Sequence, residues 1–223
     1  MTQNKIKEIL DMLNVLNEYF LSLPDDMLLN IDPRDNQSLE NGLNFIKEFN
    51  DSLSQFVIDS NRIESQIKKY FSINPEEEDV QQESTEGNKN IRIKKELDNS
   101  VAHTLDENFT YKRPFGFILG NSAYKGLKTW KILYIQVLKE LKAKNPQLFS
   151  KLPEETKFIS RRGNCLFSRK ADILRVAEKF SSDFYLELNL SANQIKTNIK
   201  ELLEHFGINY SEMKIYLRED RDA

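Results

Sequence analysis

Apolar residues recur at Ile6, Ile9, Leu13, Leu16, Phe20 and Leu23, in alternating steps of three and four. This is the seam of an amphipathic helix of coiled-coil type, and Leu10 and Val15 widen it. Pro24 is expected to end or kink the helix, with Asp25 and Asp26 opening a short turn and a turn-rich stretch following at 32–36. Ser38 reads as the N-cap of a second, longer helix. Its apolar positions run Leu39, Ile46, Phe49, Leu53, Phe56, Ile63, Ile67 and Tyr70, interrupted once at Ser60. Residues 1–73 are thus expected to form an αα-hairpin arm. One hairpin buries little apolar area, so its stripe needs a further surface: a second copy of the chain, the C-terminal part, or a different protein. Ile6, Leu13, Phe20, Ile46, Leu53 and Ile63 are the candidate interaction residues for a homodimer or a protein partner.

Residues 74–108 hold few apolar side chains and an acidic run at 76–79. Such a segment gains too little burial to offset its ordering entropy and is expected to be a mobile linker. Within it, residues 91–95 make a brief basic patch, a short strand or a helix start.

From 109 to 223 strand and helix signals alternate. A strand is predicted over 113–120, with Phe115, Phe117 and Leu119 on one face, and a second short strand at 124–127. A helix follows over about 129–144, stopped by Asn145-Pro146. Residues 157–168 read as a β-hairpin with a polar tip at 161–164, 171–179 as helical or irregular, and 184–188 as an alternating strand. Ser191 with Gln194 forms a capping box, Leu190 with Ile195 a hydrophobic staple, and Gly207 a stop, which bound a helix. A last strand at 213–218 would point Met213, Ile215 and Leu217 inward and Lys214, Tyr216 and Arg218 outward. The fold class is α+β: a helical arm, a linker, and a small antiparallel sheet covered by two helices.

Charge divides the chain. Residues 1–105 carry 11 Lys+Arg against 20 Asp+Glu, and residues 106–223 carry 21 against 15. An acidic arm and a basic domain point to different partners. The single cysteine, Cys165, excludes an intrachain disulfide and a Cys-based zinc site. The opening residues lack an apolar signal region, and no run of about 18 apolar residues occurs, so a cytoplasmic location without membrane contact is expected. The abundance of Lys, Asn and Ile suggests an AT-rich prokaryotic or viral genome.

The basic residues carry the leading functional expectation, nucleic-acid binding. Lys112, Arg113, Arg161, Arg162, Arg169 and Lys170 supply phosphate binders, because guanidinium pairs with phosphate bidentately. The row Lys214, Tyr216 and Arg218 interleaves a stacking ring with cations. Asn193, Thr197 and Asn198 on the capped helix are candidates to read base edges. The alternative is a protein-interaction adaptor, or a subunit of a larger complex, acting through the N-terminal helices. A metal-dependent nuclease using Glu187 and Asp183 is a distant third, since no lysine follows in the register such a core needs. A Cys165/His205 nucleophilic pair has only the two residue types to support it, and Gly116 and Gly120 do not build a phosphate loop. The protein is expected to be non-enzymatic, without cofactor or metal.

Trp130-Lys131, the 145–149 segment Asn-Pro-Gln-Leu-Phe and the 189–195 segment Asn-Leu-Ser-Ala-Asn-Gln-Ile resemble a C-terminal module of uncharacterised prokaryotic proteins of mobile-element or phage type. The resemblance spans roughly residues 113–218. It implies no activity, and no functional residue is carried over from it.

Overall fold

A computed structural model describes residues 2–71, 86–159 and 163–220. Helix α1 (Thr2–Asn30) runs straight through Pro24 rather than ending there. It is flanked by α2 and by the C-terminal domain, and this packing offsets the one backbone hydrogen bond that proline removes. Helix α2 (Asn36–Tyr70) starts before Ser38 because Asp35 caps it, accepting from the Gln37 amide at 3.0 Å. The two helices pack as an antiparallel hairpin. Ser60, the break in the predicted seam, is buried and accepts from Asn17 Nδ2 at 2.9 Å. Phe20 meets Phe49 and Phe56 edge-on.

The expected linker is structured over its second half. Helix α3 (Glu86–Leu97) buries Ile93 and Leu97, and Leu105 and Phe109 enter the main core. Apolar residues are sparse in this segment, and although Ile91 and Val101 stay exposed, Ile93, Leu97 and Leu105 land on a sheet face or in the core, which repays its ordering. Residues 74–85 lie outside the described part.

Two three-stranded antiparallel sheets follow, where one was expected. The first has the order β2-β1-β6, from β1 (Pro114–Leu119), β2 (Ser122–Lys125) and β6 (Lys214–Leu217). The second has the order β3-β5-β4, from β3 (Phe167–Ser168), β4 (Ala177–Ser181) and β5 (Phe184–Glu187). Strand β4 occupies part of the stretch expected to be helical or irregular. Its Ala-Glu-Lys-Phe-Ser sequence has weak strand preference, and pairing with β5 decides its conformation. Of the predicted 157–168 hairpin, the bridge Ile159–Cys165 and strand β3 are present.

Helices α4 (Trp130–Lys144) and α6 (Ala192–His205), with the short α5 (Pro146–Ser150), enclose a core that includes Leu133, Val137, Leu138, Ile199, Leu202 and Ile215. Thr129 caps α4, accepting from Ile132 N at 3.2 Å. The Ser191/Gln194 capping box on α6 is formed in both directions, and Gly207 adopts φ +66° at the helix end. The first sheet is covered on both faces. Phe117 and Leu119 enter the main core, while Ile118, Ala123 and Tyr216 pack under α3. A register shift between Pro114 and Gly116 brings Phe115 onto the α3 side, away from Phe117 and Leu119. Gly116 is required there, because a Cβ would run into the Tyr124 carbonyl oxygen. Among the described residues, no helix is long and apolar enough to cross a membrane.

Candidate functional site

Of the basic residues expected to form one surface, Arg113 and Arg169 pair with carboxylates of the chain, as do the neighbouring Lys128 and Lys131. Arg113 pairs with Glu219 at 3.1 Å, Lys128 with Asp11 of α1 at 3.0 Å, and Lys131 with Glu178 at 3.1 Å. Arg169 is held by Asp183 at 3.1 Å and by Glu154. The Lys112 carbonyl accepts from the Trp130 indole at 2.7 Å. Arg161 and Arg162 lie outside the described residues. Lys170 and Lys214 are exposed and make no ion pair among the described residues.

Tyr216 is not outward-facing. It is 1% exposed beneath α3, where burial and the nearby Asp98 raise its hydroxyl pKa. Arg218 is half-buried, and its Nη2 donates to the Leu127 carbonyl at 3.3 Å. The base-reading side chains expected on α6 are also occupied. Asn193 accepts from Phe109 N at 2.9 Å and donates to Asn108 and Thr110, while Asn198 is buried beside Tyr134.

The arm is bolted to the domain by polar contacts around an apolar patch. Glu18 of α1 reaches the N-terminus of α4, where Oε1 accepts from the Trp130 amide. Burial pushes its carboxyl up to about 8, against the lowering pull of the Trp130 and Lys131 amides and of Arg218 and Arg113. Its Oε2 and Asn17 Oδ1 are buried without a partner among the described residues, and both residues line a cavity of about 50 Å³ with Asn61, Thr129 and Lys131. Further along, Asp25 accepts from Ser191 Oγ at 2.7 Å, and Ser54 accepts from Asn189 at 3.1 Å. Leu53 and Val57 of α2 bury Val176 between these contacts. The predicted interaction residues therefore divide. Ile6 and Leu53 are buried within the chain, Leu13, Phe20 and Ile46 are half-buried, and Ile63 is 46% exposed.

Apolar surface remains on the helices after this packing. Ile9, Met12, Leu16 and Tyr19 form a continuous stripe at helical spacing, with Met12 57% exposed. Met12, Leu16 and Tyr19 line an open groove of about 680 Å³ between α1 and the Arg113 and Arg218 side chains. Ile9 and Leu16 belong to the predicted seam, while Met12 and Tyr19 lie beside it. The second sheet is partly exposed. Half-buried Tyr185 sits opposite exposed Lys179 on β4 and buried Ser168 on β3, and exposed Arg175, beyond the β4 end, lies 3.7 Å from Glu187.

The candidate catalytic groups have structural employment. Glu187 is 4% exposed rather than outward, and it accepts from the Arg175, Val176 and Asn189 amides at 2.8–3.3 Å. Cys165 Sγ contacts the Gly163 carbonyl, while the His205 ring packs on Phe158. His103, in the expected linker, bridges Glu107 at 2.6 Å and Asp220 at 2.7 Å. Its burial would lower the pKa, but the two carboxylates outweigh it and raise the value above its usual 6.5. Among the described residues, no group of three or more His, Cys, Asp or Glu side chains is arranged to hold a metal ion. No family model, curated protein or solved structure matches this chain.

Proposed function

We propose that the protein is a non-enzymatic interaction protein, an adaptor or subunit of a larger complex that docks through its N-terminal helices. One observation carries this reading. Helix α1 is already fixed to its own domain by Glu18, Asp11 and Asp25, yet it keeps the Ile9, Met12, Leu16 and Tyr19 stripe exposed. A contiguous exposed apolar stripe is a recurrent mark of a protein-binding surface. Quantitative affinity capture from host extract should recover partners with the natural chain and lose them with Met12→Asp/Leu16→Asp, at an unchanged melting temperature. Equal recovery by both proteins would remove the stripe from function.

The second reading is nucleic-acid binding, and the geometry that favours it is the face of the second sheet. Tyr185 opposite Lys179 offers a ring for stacking beside a cation. A gel shift on mixed DNA and RNA at low and moderate salt tests it. Affinity that falls steeply with salt and drops for Tyr185→Ala/Lys179→Ala is the expected result under this reading.

A further inference from the structure

The hairpin extends beyond its anchorage. Asp25 and Asp26 are the last residues of α1 held by the domain, Asp25 by Ser191 and Asn193 and Asp26 by the Tyr111 hydroxyl, and Phe49 is the first of α2 to join the apolar cluster around Val176. Between them, residues 27–48 contain no buried residue. This tip is nevertheless well built. Asp35 caps α2, and Ile31 lies so close to Gly42 that a Cβ there would stand 2.5 Å from Ile31 Cδ1. Phe45 stacks on Phe49 with centroids 5.8 Å apart and an interplanar angle of 14°. On this ordered frame Leu28, Leu29, Leu43 and Phe45 stand exposed, Leu29 at 74%. The same 22 positions carry Asp32, Asp35, Glu40 and Glu48 against Arg34 and Lys47, a net charge of −2.

Charge selects the occupant. An acidic tip studded with leucine and phenylalanine is repelled by nucleic acid and by anionic lipid surfaces. It is repelled by the tip of a second copy as well. The chain's own basic domain is a poor alternative, because Arg113, Lys128, Lys131 and Arg169 are engaged with internal carboxylates. We propose that the 27–48 tip docks into an apolar groove rimmed by Lys or Arg on a different protein. This rests on the adaptor reading and adds the hairpin tip to the α1 stripe as a second contact surface. Aliphatic and aromatic anchors would fill the groove, and the carboxylates would set approach and register.

The test uses the full chain and two synthetic helical peptides, one with a leucine face flanked by lysines and one with the same leucines flanked by glutamates. Binding is read by fluorescence anisotropy at low and moderate salt. The lysine peptide is expected to bind, more weakly as salt rises, and the glutamate peptide is not. Leu28→Ser/Leu29→Ser/Phe45→Ser should weaken binding at least tenfold with an unchanged circular-dichroism melt, whereas Ile173→Ser, at an exposed apolar residue of the domain, should leave it intact; Met12→Ser/Leu16→Ser reports separately on the α1 stripe. Equal binding of both peptides, or of neither, overturns the proposal. If the tip variant binds normally and the Met12/Leu16 variant does not, the tip is wrong and the adaptor reading stands. Normal binding by both variants sinks tip and adaptor reading together. Sedimentation that shows a dimer lost in the tip variant would make the occupant a second copy and overturn the assignment to a different protein.

Discussion

The C-terminal domain and the N-terminal hairpin spend similar kinds of residues to opposite ends. In the domain, Leu133, Val137, Leu138, Ile199 and Leu202 are completely enclosed, and even the outer face of β6 is roofed by α3. In the hairpin, Met12, Leu16, Leu28, Leu29 and Phe45 are exposed although both helices are continuous and α2 is capped. A domain that closes both faces of its first sheet has finished its packing there. A hairpin fastened at one side by hydrogen bonds and left apolar elsewhere has not, and the proposed docking role rests on that contrast.

The contrast breaks most sharply under alanine substitution. Leu138→Ala should cost about 2–5 kcal/mol in urea unfolding, while Leu29→Ala should stay within about 0.5 kcal/mol. A large loss at Leu29 would mean the tip is packed after all.

The next effect concerns the bolt between the two regions. Glu18 has its folded pKa raised to about 8 from 4.5, so the folded state holds its proton more tightly than the unfolded chain. Stability from this group is complete below about pH 4.5 and drains away as pH rises to about 8, a change on the order of 4–5 kcal/mol. Glu18→Gln retains an acceptor for the Trp130 amide and should flatten that slope in melts across pH 5–9. An unchanged slope would show that Glu18 is not the titrating group.

The smallest effect lies within the domain. His103 has a raised pKa between Glu107 and Asp220. Its contribution is present below pH 6.5 and disappears as pH climbs through the folded value, amounting to at most about 1 kcal/mol. Comparing His103→Gln with the natural chain at pH 6 and pH 9 isolates it: the difference should exist at pH 6 and vanish at pH 9.

Local signals made much of this fold legible. The Ser191/Gln194 box and the apolar stripe of α4 specify their helices from neighbours three or four residues away. Period-two alternation likewise grouped Met213, Ile215 and Leu217 on one face, all of them buried. It could not say that the opposite face would be roofed, because the roof comes from Ile93 and Leu97 in a segment too polar to announce a helix. The same distance problem hid the candidate surface. Lysines and arginines are visible as residues, but Lys128 meets Asp11 across 117 positions and Lys131 meets Glu178 across 47. A count of cations in one half of the chain therefore overstated the charge open to a phosphate.

The connection between Asp25 and Ser191 has a bearing on biosynthesis. The two residues are 166 positions apart, and Trp130 follows Glu18 by 112. At a translation rate of roughly 5–20 residues per second, the hairpin is made about 6–24 s before its own docking site is complete. During that interval both of its apolar surfaces are uncovered. A partner or chaperone that recognises the hairpin can thus engage the nascent chain first, and ribosome profiling after capture of such a partner would show footprints beginning soon after codon 71.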